Sequence, residues 1–273
     1  MALNIATNIA SLDVQTNLAA TTTSLNTSLQ RLSSGLRINN ASDDAAGLAI
    51  ADALRADSRI LGQAVRNAND GLSALNIGDQ ALGTTGNILS RLAELASESA
   101  TGTVSDTQRS AIQQEFTSLV SEIDRISATT TFNGVQLLSS GTTLDLQVGL
   151  DSSSNSRISF STVDGSSSGI GLTNVSVSTA AAAQSALDSI NSAIAQVASA
   201  RGSIGAVESR LNTAISNLQV ANQNFQAAEA QIRDVDVAQE TANFTKNSIL
   251  QQAGVAVLAQ ANQQPALALQ LLR

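Results

Sequence analysis

Two short carboxylate clusters are the places where this chain could do acid–base or metal chemistry. Ser42-Asp43-Asp44 sets adjacent acids behind a hydroxyl, and Asp234 with Asp236 repeats the pair late in the chain. Neighbouring carboxylates can share a proton or hold a hard cation. Both clusters, however, stand just before a long helical pattern. There, Ser or Asp oxygens satisfy free amides, and negative charge suits the positive end of the helix dipole. Capping is the stronger reading for each. Composition removes most other chemistry, because the sequence contains no Cys and no His. No thiol nucleophile, disulfide, thiolate–imidazole metal site or imidazole base is available. No cofactor and no metal is expected. The N-x-S/T triplets at Asn26, Asn40, Asn174 and Asn243 are of the kind that a Ser/Thr/Asn-rich chain produces by chance.

The elements that would position any site are helical. Of the 273 residues 42% are apolar, yet five Phe are the whole aromatic content, with one Pro (Pro265) and one Lys (Lys246). Small aliphatic side chains with almost no Pro suit long helices packed side by side. Net charge is −8, which disfavours nucleic acid and polybasic membrane contact, since both need clustered Lys and Arg. Charge is also uneven. Residues 1–30 carry one charged side chain, Asp13, and residues 247–272 carry none. Eight Asn and Gln within that second stretch argue against a membrane span, because unpaired amides are costly in hydrocarbon. A protein–protein environment fits both ends better. No cation precedes Arg31 and no continuous apolar run opens the chain, so export without a cleaved leader is expected.

Apolar periodicity is strong in the interior. A 3-4 ladder from Leu187 to Ile232 contains one apolar heptad column: Ile190, Val197, Ile204, Leu211, Leu218, Phe225 and Ile232. The opposing column carries Arg201, Glu208, Asn222 and Glu229, types that set register in a coiled coil. Shorter ladders run through Leu61, Val65, Ala68, Leu72 and Leu75, with a polar break at Asp79 before Leu82 and Leu89, and through Ile112, Phe116, Leu119, Ile123 and Ile126. Ser105 with Gln108 forms a capping-box pattern ahead of the latter. These signals predict helices over about 4–36, 43–99, 105–128, 183–230 and 235–271. The apolar column is worth roughly 10–20 kcal/mol gross if a partner helix covers it. Between the helical halves, Phe132-Asn133-Gly134 marks a turn. Leu144, Leu146, Val148 and Leu150 alternate with polar residues, as do Ile158 and Phe160, which predicts a β-hairpin. Asp164-Gly-Ser-Ser-Ser-Gly169 reads as a flexible, exposed loop. The predicted fold class is mainly α: a long antiparallel coiled-coil helical bundle with a small β-hairpin region, whose chain returns on itself and brings its two ends together.

The segment SLQRLSSGLRINNASDDAAGLAIADALRADSRILGQAVRNANDGLSALNIGDQAL resembles the bacterial flagellin family, as do TTTFNGVQLL, LQVGL and ILQQAGVAVLAQANQQPALALQLLR. The resemblance extends over about residues 3–160 and 200–273, with roughly 161–182 standing where longer members carry outer domains. It implies a minimal two-domain subunit: residues 1–42 with 232–273 as a terminal helical inner domain, and 43–231 as a helical rod domain with its hairpin around 132–178. It further implies a secreted homopolymer forming an extracellular flagellum filament for motility, without enzymatic activity. Export by the flagellar type III apparatus, a chaperone on the C-terminal helix, and hook-associated and cap proteins as partners come with it. Arg91, Leu95 and Glu115 resemble the positions by which immunostimulatory members contact an animal Toll-like innate receptor, with Glu98 where Gln is expected. Ser161, Thr162, Ser166, Ser167 and Ser168 are candidates for O-glycosylation if their loop faces outward. A hook–filament junction protein is the alternative within the same helical plan. A membrane-active translocator would need a cation-rich amphipathic face that is not visible.

Overall fold

The computed structural model describes residues 7–139 and 143–271, with side chains described as far as residue 263. Five helices dominate: α1 (Ile9–Ser34), α2 (Ala45–Ala100), α3 (Asp106–Thr129), α4 (Ala180–Arg233) and α5 (Val237–Leu271). Two small antiparallel hairpins lie between α3 and α4. One pairs β1 (Thr131–Phe132) with β2 (Val135–Gln136), the other β3 (Thr143–Gln147) with β4 (Arg157–Ser161). The fold is therefore mainly α, as the periodicity predicts, with helix limits a few residues from those expected. The expected start near residue 4 lies outside the described residues.

Contacts divide the chain into two compact units, Met1–Ala56 with Asn224–Arg273, and Asp57–Gln223. The second holds the main core. Leu82, Leu89, Leu92, Leu95 and Ala96 of α2 pack with Ile112, Phe116, Ile123 and Ile126 of α3, and with Ala183, Ile190, Ala193 and Val197 of α4. Phe116 is its one fully buried ring. Local signals act as written in the sequence. The Ser105 side chain accepts from the Gln108 amide while the Gln108 side chain accepts from Ser105, a complete capping box that starts α3. Asn133 (φ 50°) and Gly134 (φ 79°) both adopt the left-handed conformation of a two-residue hairpin turn. In the second hairpin Leu144 faces Phe160 and Leu146 faces Ile158. The hairpin lies against α2, where Asn67 Nδ2 donates to the Gln147 carbonyl at 3.1 Å. A Cβ on Gly71 would stand 2.1 Å from Leu146 Cδ1, so the missing side chain leaves room for Leu146, which an added methyl group would push aside.

The loop expected to be flexible and exposed at residues 164–169 is instead tied down, with only Ser168 and Gly169 exposed. Gly165, Ile170 and Leu172 are buried, and the latter two join the main core. Asp124 of α3 accepts from the Ser167 amide and hydroxyl at 2.8 and 2.9 Å. Asp164 accepts from the Ser166 amide and hydroxyl at 3.0 and 2.6 Å. Two carboxylates and two aliphatic anchors thus hold in place a segment that Gly and Ser alone would leave loose.

In the first unit, α1 and α5 run antiparallel. Asn8 Nδ2 donates to the Ala261 carbonyl, Ser11 Oγ to Asn262 Oδ1, and Gln251 Nε2 to Thr22 Oγ1. The connections at their inner ends pair by backbone. Leu36 bridges Asp234, the Arg37 amide donates to the Arg233 carbonyl at 2.6 Å, and the Val235 amide donates to the Gly35 carbonyl at 3.0 Å. Gly35 (φ 73°) terminates α1 by donating to the Arg31 carbonyl. No described helix is long and apolar enough to cross a membrane.

Candidate assembly surface

Three of the four clustered carboxylates, those of Asp43, Asp44 and Asp236, accept from backbone amides. Asp44 Oδ1 accepts from the Gly47 amide at 2.9 Å and so caps α2. Asp43 Oδ2 accepts from the Asn40 and Asn39 amides, and these bonds lower its pKa from the ordinary Asp value. Asp236 Oδ1 takes the Ala238 and Gln239 amides at the start of α5. Among the described residues no group of three or more acidic, His or Cys side chains is placed to hold a metal ion.

What the helices present instead is unburied apolar surface, and its distribution is informative. In α1 and α5, no Leu, Ile, Val or Phe with a described side chain is buried. The buried members of α1 are Ser11 and Ser28; in α5 they are Glu240 and Ala261. Ile9, Leu12, Leu29, Val237, Ile249, Leu250, Val255 and Val257 are each 47% or more exposed. Covering these eight side chains is worth on the order of 10 kcal/mol gross per copy. Ordering helices of 26 and 35 residues costs more than such a seam recovers alone.

The heptad column of α4 behaves differently along its length. Ile190, Val197, Leu211 and Leu218 are buried, whereas Ile204, Phe225 and Ile232 are half-buried. The opposing polar column meets α2. Arg201 forks onto Asp79, with Nε to Oδ1 at 2.8 Å and Nη2 to Oδ2 at 3.0 Å. This hydrogen-bonded fork lowers the Asp79 pKa. Asn222 accepts from Ser58. In the other unit Arg55 donates twice to Glu229 Oε1, at 2.8 and 2.7 Å. Such polar rungs penalise a slipped register, because a slip would strand them.

Of the proposed receptor-contact residues, Arg91 and Glu115 are exposed and bonded to each other, with Arg91 Nη2 2.8 Å from Glu115 Oε1. The bonds that Arg91 donates to Glu94 and then to Glu115 raise its pKa above the ordinary Arg value. Leu95 is 1% exposed and belongs to the core, so it offers no side-chain surface beside them. The glycosylation candidates differ in exposure. Thr162 is buried and donates to the Ser139 carbonyl, while Ser166 and Ser167 spend their hydroxyls on Asp164 and Asp124. Ser161 and Ser168 alone of the five are exposed. Sequence reasoning missed Arg109, which is 7% exposed. Its guanidinium donates to the Ser99, Val104 and Thr101 carbonyls at 2.8, 2.7 and 2.8 Å, closing the α2–α3 turn.

These features can be set beside known proteins. Residues 5–143 match the family described as bacterial flagellin N-terminal helical region, and residues 187–272 its C-terminal helical region. The flagellin of Halalkalibacterium halodurans is 44% identical over 246 residues, covering 90% of each chain. The flagellin of Bacillus subtilis is 38% identical, covering 97% of this chain and 98% of that one. A flagellar filament 33 kDa core protein of Treponema phagedenis is 35% identical with the same coverage. Among solved structures, Bacillus cereus flagellin superposes with a TM-score of 0.51 at 28% identity, over 56% of this chain and 88% of that one. A putative flagellar hook-associated protein from Vibrio parahaemolyticus shares the fold alone, at 14% identity and a TM-score of 0.59. With both terminal regions matched and close relatives aligned over nearly their full length, the chain belongs to the bacterial flagellin family.

Proposed function

We propose that this chain is the repeating subunit of an extracellular flagellar filament, and that the α1/α5 pair is its main inter-subunit surface. The observation that carries the reading is that no described Ile, Leu, Val or Phe side chain of the pair is buried, while a row of them is exposed. Such helices gain their stability when neighbouring copies cover them. The family supports a structural rather than catalytic role, and the acids at the helix starts are engaged as caps.

Export by the flagellar type III apparatus belongs to the same proposal. So does a chaperone on α5 before assembly, since its apolar stripe would otherwise be exposed in transit. Hook-associated and cap proteins would meet the filament ends. A Toll-like receptor would find Arg91 and Glu115 at the surface of the second unit, already paired with each other. The hook–filament junction alternative draws nothing from a likeness of fold at 14% identity. Seeding purified monomer with filament fragments and imaging the product tests the main reading. Long filaments are expected; monomer that stays dispersed above seeds at high concentration overturns it.

A further inference from the structure

Four charged side chains lie on the described parts of α1 and α5: Asp13 and Arg31 on the first, Glu240 and Lys246 on the second. Arg31 and Glu240 approach each other at 3.9 Å within the chain. Asp13 and Lys246 remain, one of each sign, both exposed and neither in an ion pair among the described residues. They cannot meet within one copy. The alignment of Ser11 with Asn262 and Thr22 with Gln251 sets Lys246 opposite about residue 27, so the two charges stand roughly 20 Å apart along the helices.

Each ion sits beside exposed apolar surface. Ile9 and Leu12 flank Asp13. Ile249 and Leu250, with Thr241, Ala242 and Thr245, line a shallow depression that includes Lys246. A neighbour that covers these side chains also strips water from the ion among them, and only an opposite charge compensates that loss. Lys can lean its long stem toward water, but the short Asp side chain cannot. We infer that Asp13 of one copy pairs with Lys246 of a second copy, and that this contact fixes the axial stagger between neighbouring α1/α5 pairs. The inference rests on the filament reading above.

Reciprocal charge exchange tests it in seeded assembly, with critical concentration measured by sedimentation. Asp13→Lys and Lys246→Asp should each raise that concentration about tenfold, because each sets like charges together. The double exchange should return it to within about threefold of the original. An equimolar mixture of the two single variants should also co-assemble, since each supplies the charge that the other lacks. Circular dichroism of the monomers, expected to be unchanged, separates assembly from folding. Single variants that assemble normally, or a double exchange no better than the singles, would overturn the pairing. Rescue by the double exchange without rescue by mixing would place the contact inside one chain and overturn it too. If the original chain itself forms no filament, the filament reading fails instead, independently of the variants.

Discussion

Replacing Arg109 by Met keeps an unbranched apolar stem and removes the guanidinium donors from the α2–α3 turn. Three backbone carbonyls then lose a donor, Ser99, Thr101 and Val104, of which Thr101 keeps the Val104 amide at 3.3 Å. The bond to Ser99 is buried, so its loss strands an acceptor away from water, at about 1–3 kcal/mol. Thr101 is exposed and Val104 half-buried, so water can replace much of those two bonds, leaving about 0.5–1 kcal/mol each. The Asp106 contact at 3.3 Å involves a 98% exposed carboxylate and adds little. Released desolvation of the ion returns part of the total, since burying a guanidinium is itself unfavourable. The sum is a loss of about 2–4 kcal/mol, equivalent to about 4–16 °C in Tm for a domain of this size. Urea unfolding of monomer, followed by helical circular dichroism, measures it through the midpoint at constant slope. A loss below about 0.5 kcal/mol would show that the turn does not depend on these bonds and would refute the reasoning.

Asp79→Asn should cost under about 1 kcal/mol at neutral pH, because the Arg201 fork is partly exposed. The lowered Asp79 pKa makes the contribution of this carboxylate fully present above the unfolded value near 4 and lost as pH falls through the lower folded value. Stabilities of the variant and the original chain should therefore converge in acid, as chemical unfolding across pH would reveal. Asp124→Ala removes both acceptors that hold Ser167, and faster amide hydrogen exchange is expected across residues 164–172. Unchanged protection there would contradict the clamp. Ser105→Ala should cost about 1 kcal/mol through loss of the capping box, read in the same urea assay. Gly71→Ala should displace Leu146 and the β3–β4 hairpin, with an overpacking cost of about 1–3 kcal/mol opposed by about 1 kcal/mol of helix propensity. Chemical-shift changes confined to the hairpin would check this.

Local rules made much of the fold legible. The presence of α2 and α4 follows from their long apolar ladders, and α3 begins at its Ser105–Gln108 box because capping is a short-range signal. The Asn133-Gly134 turn is equally local. Contacts between distant segments were not legible. The 164–169 segment looks loose until Asp124, some 40 residues earlier, supplies acceptors for Ser167. Arg109 bonds to backbone carbonyls, which leave no mark in the sequence. Leu95 was read by resemblance as surface, yet α2 there packs against both α3 and α4, which widens its buried arc to take in Leu92, Leu95 and Ala96. The α1/α5 surface was partly readable, since the scarcity of ions at both ends is itself a sequence property.

The bridge between Leu36 and Asp234 couples the two connectors at the inner end of the α1/α5 pair. Because the Arg37 amide holds the Arg233 carbonyl and the Val235 amide holds the Gly35 carbonyl, neither connector can bend without dragging the other. Arg37 adds a third tie, donating from Nη2 to the Ile232 carbonyl at the end of α4. A pull on either terminal helix is thus shared between two covalent strands rather than concentrated in one. In a fibre that transmits torque, such a yoke spreads load across both connectors of every subunit and protects each from failing singly.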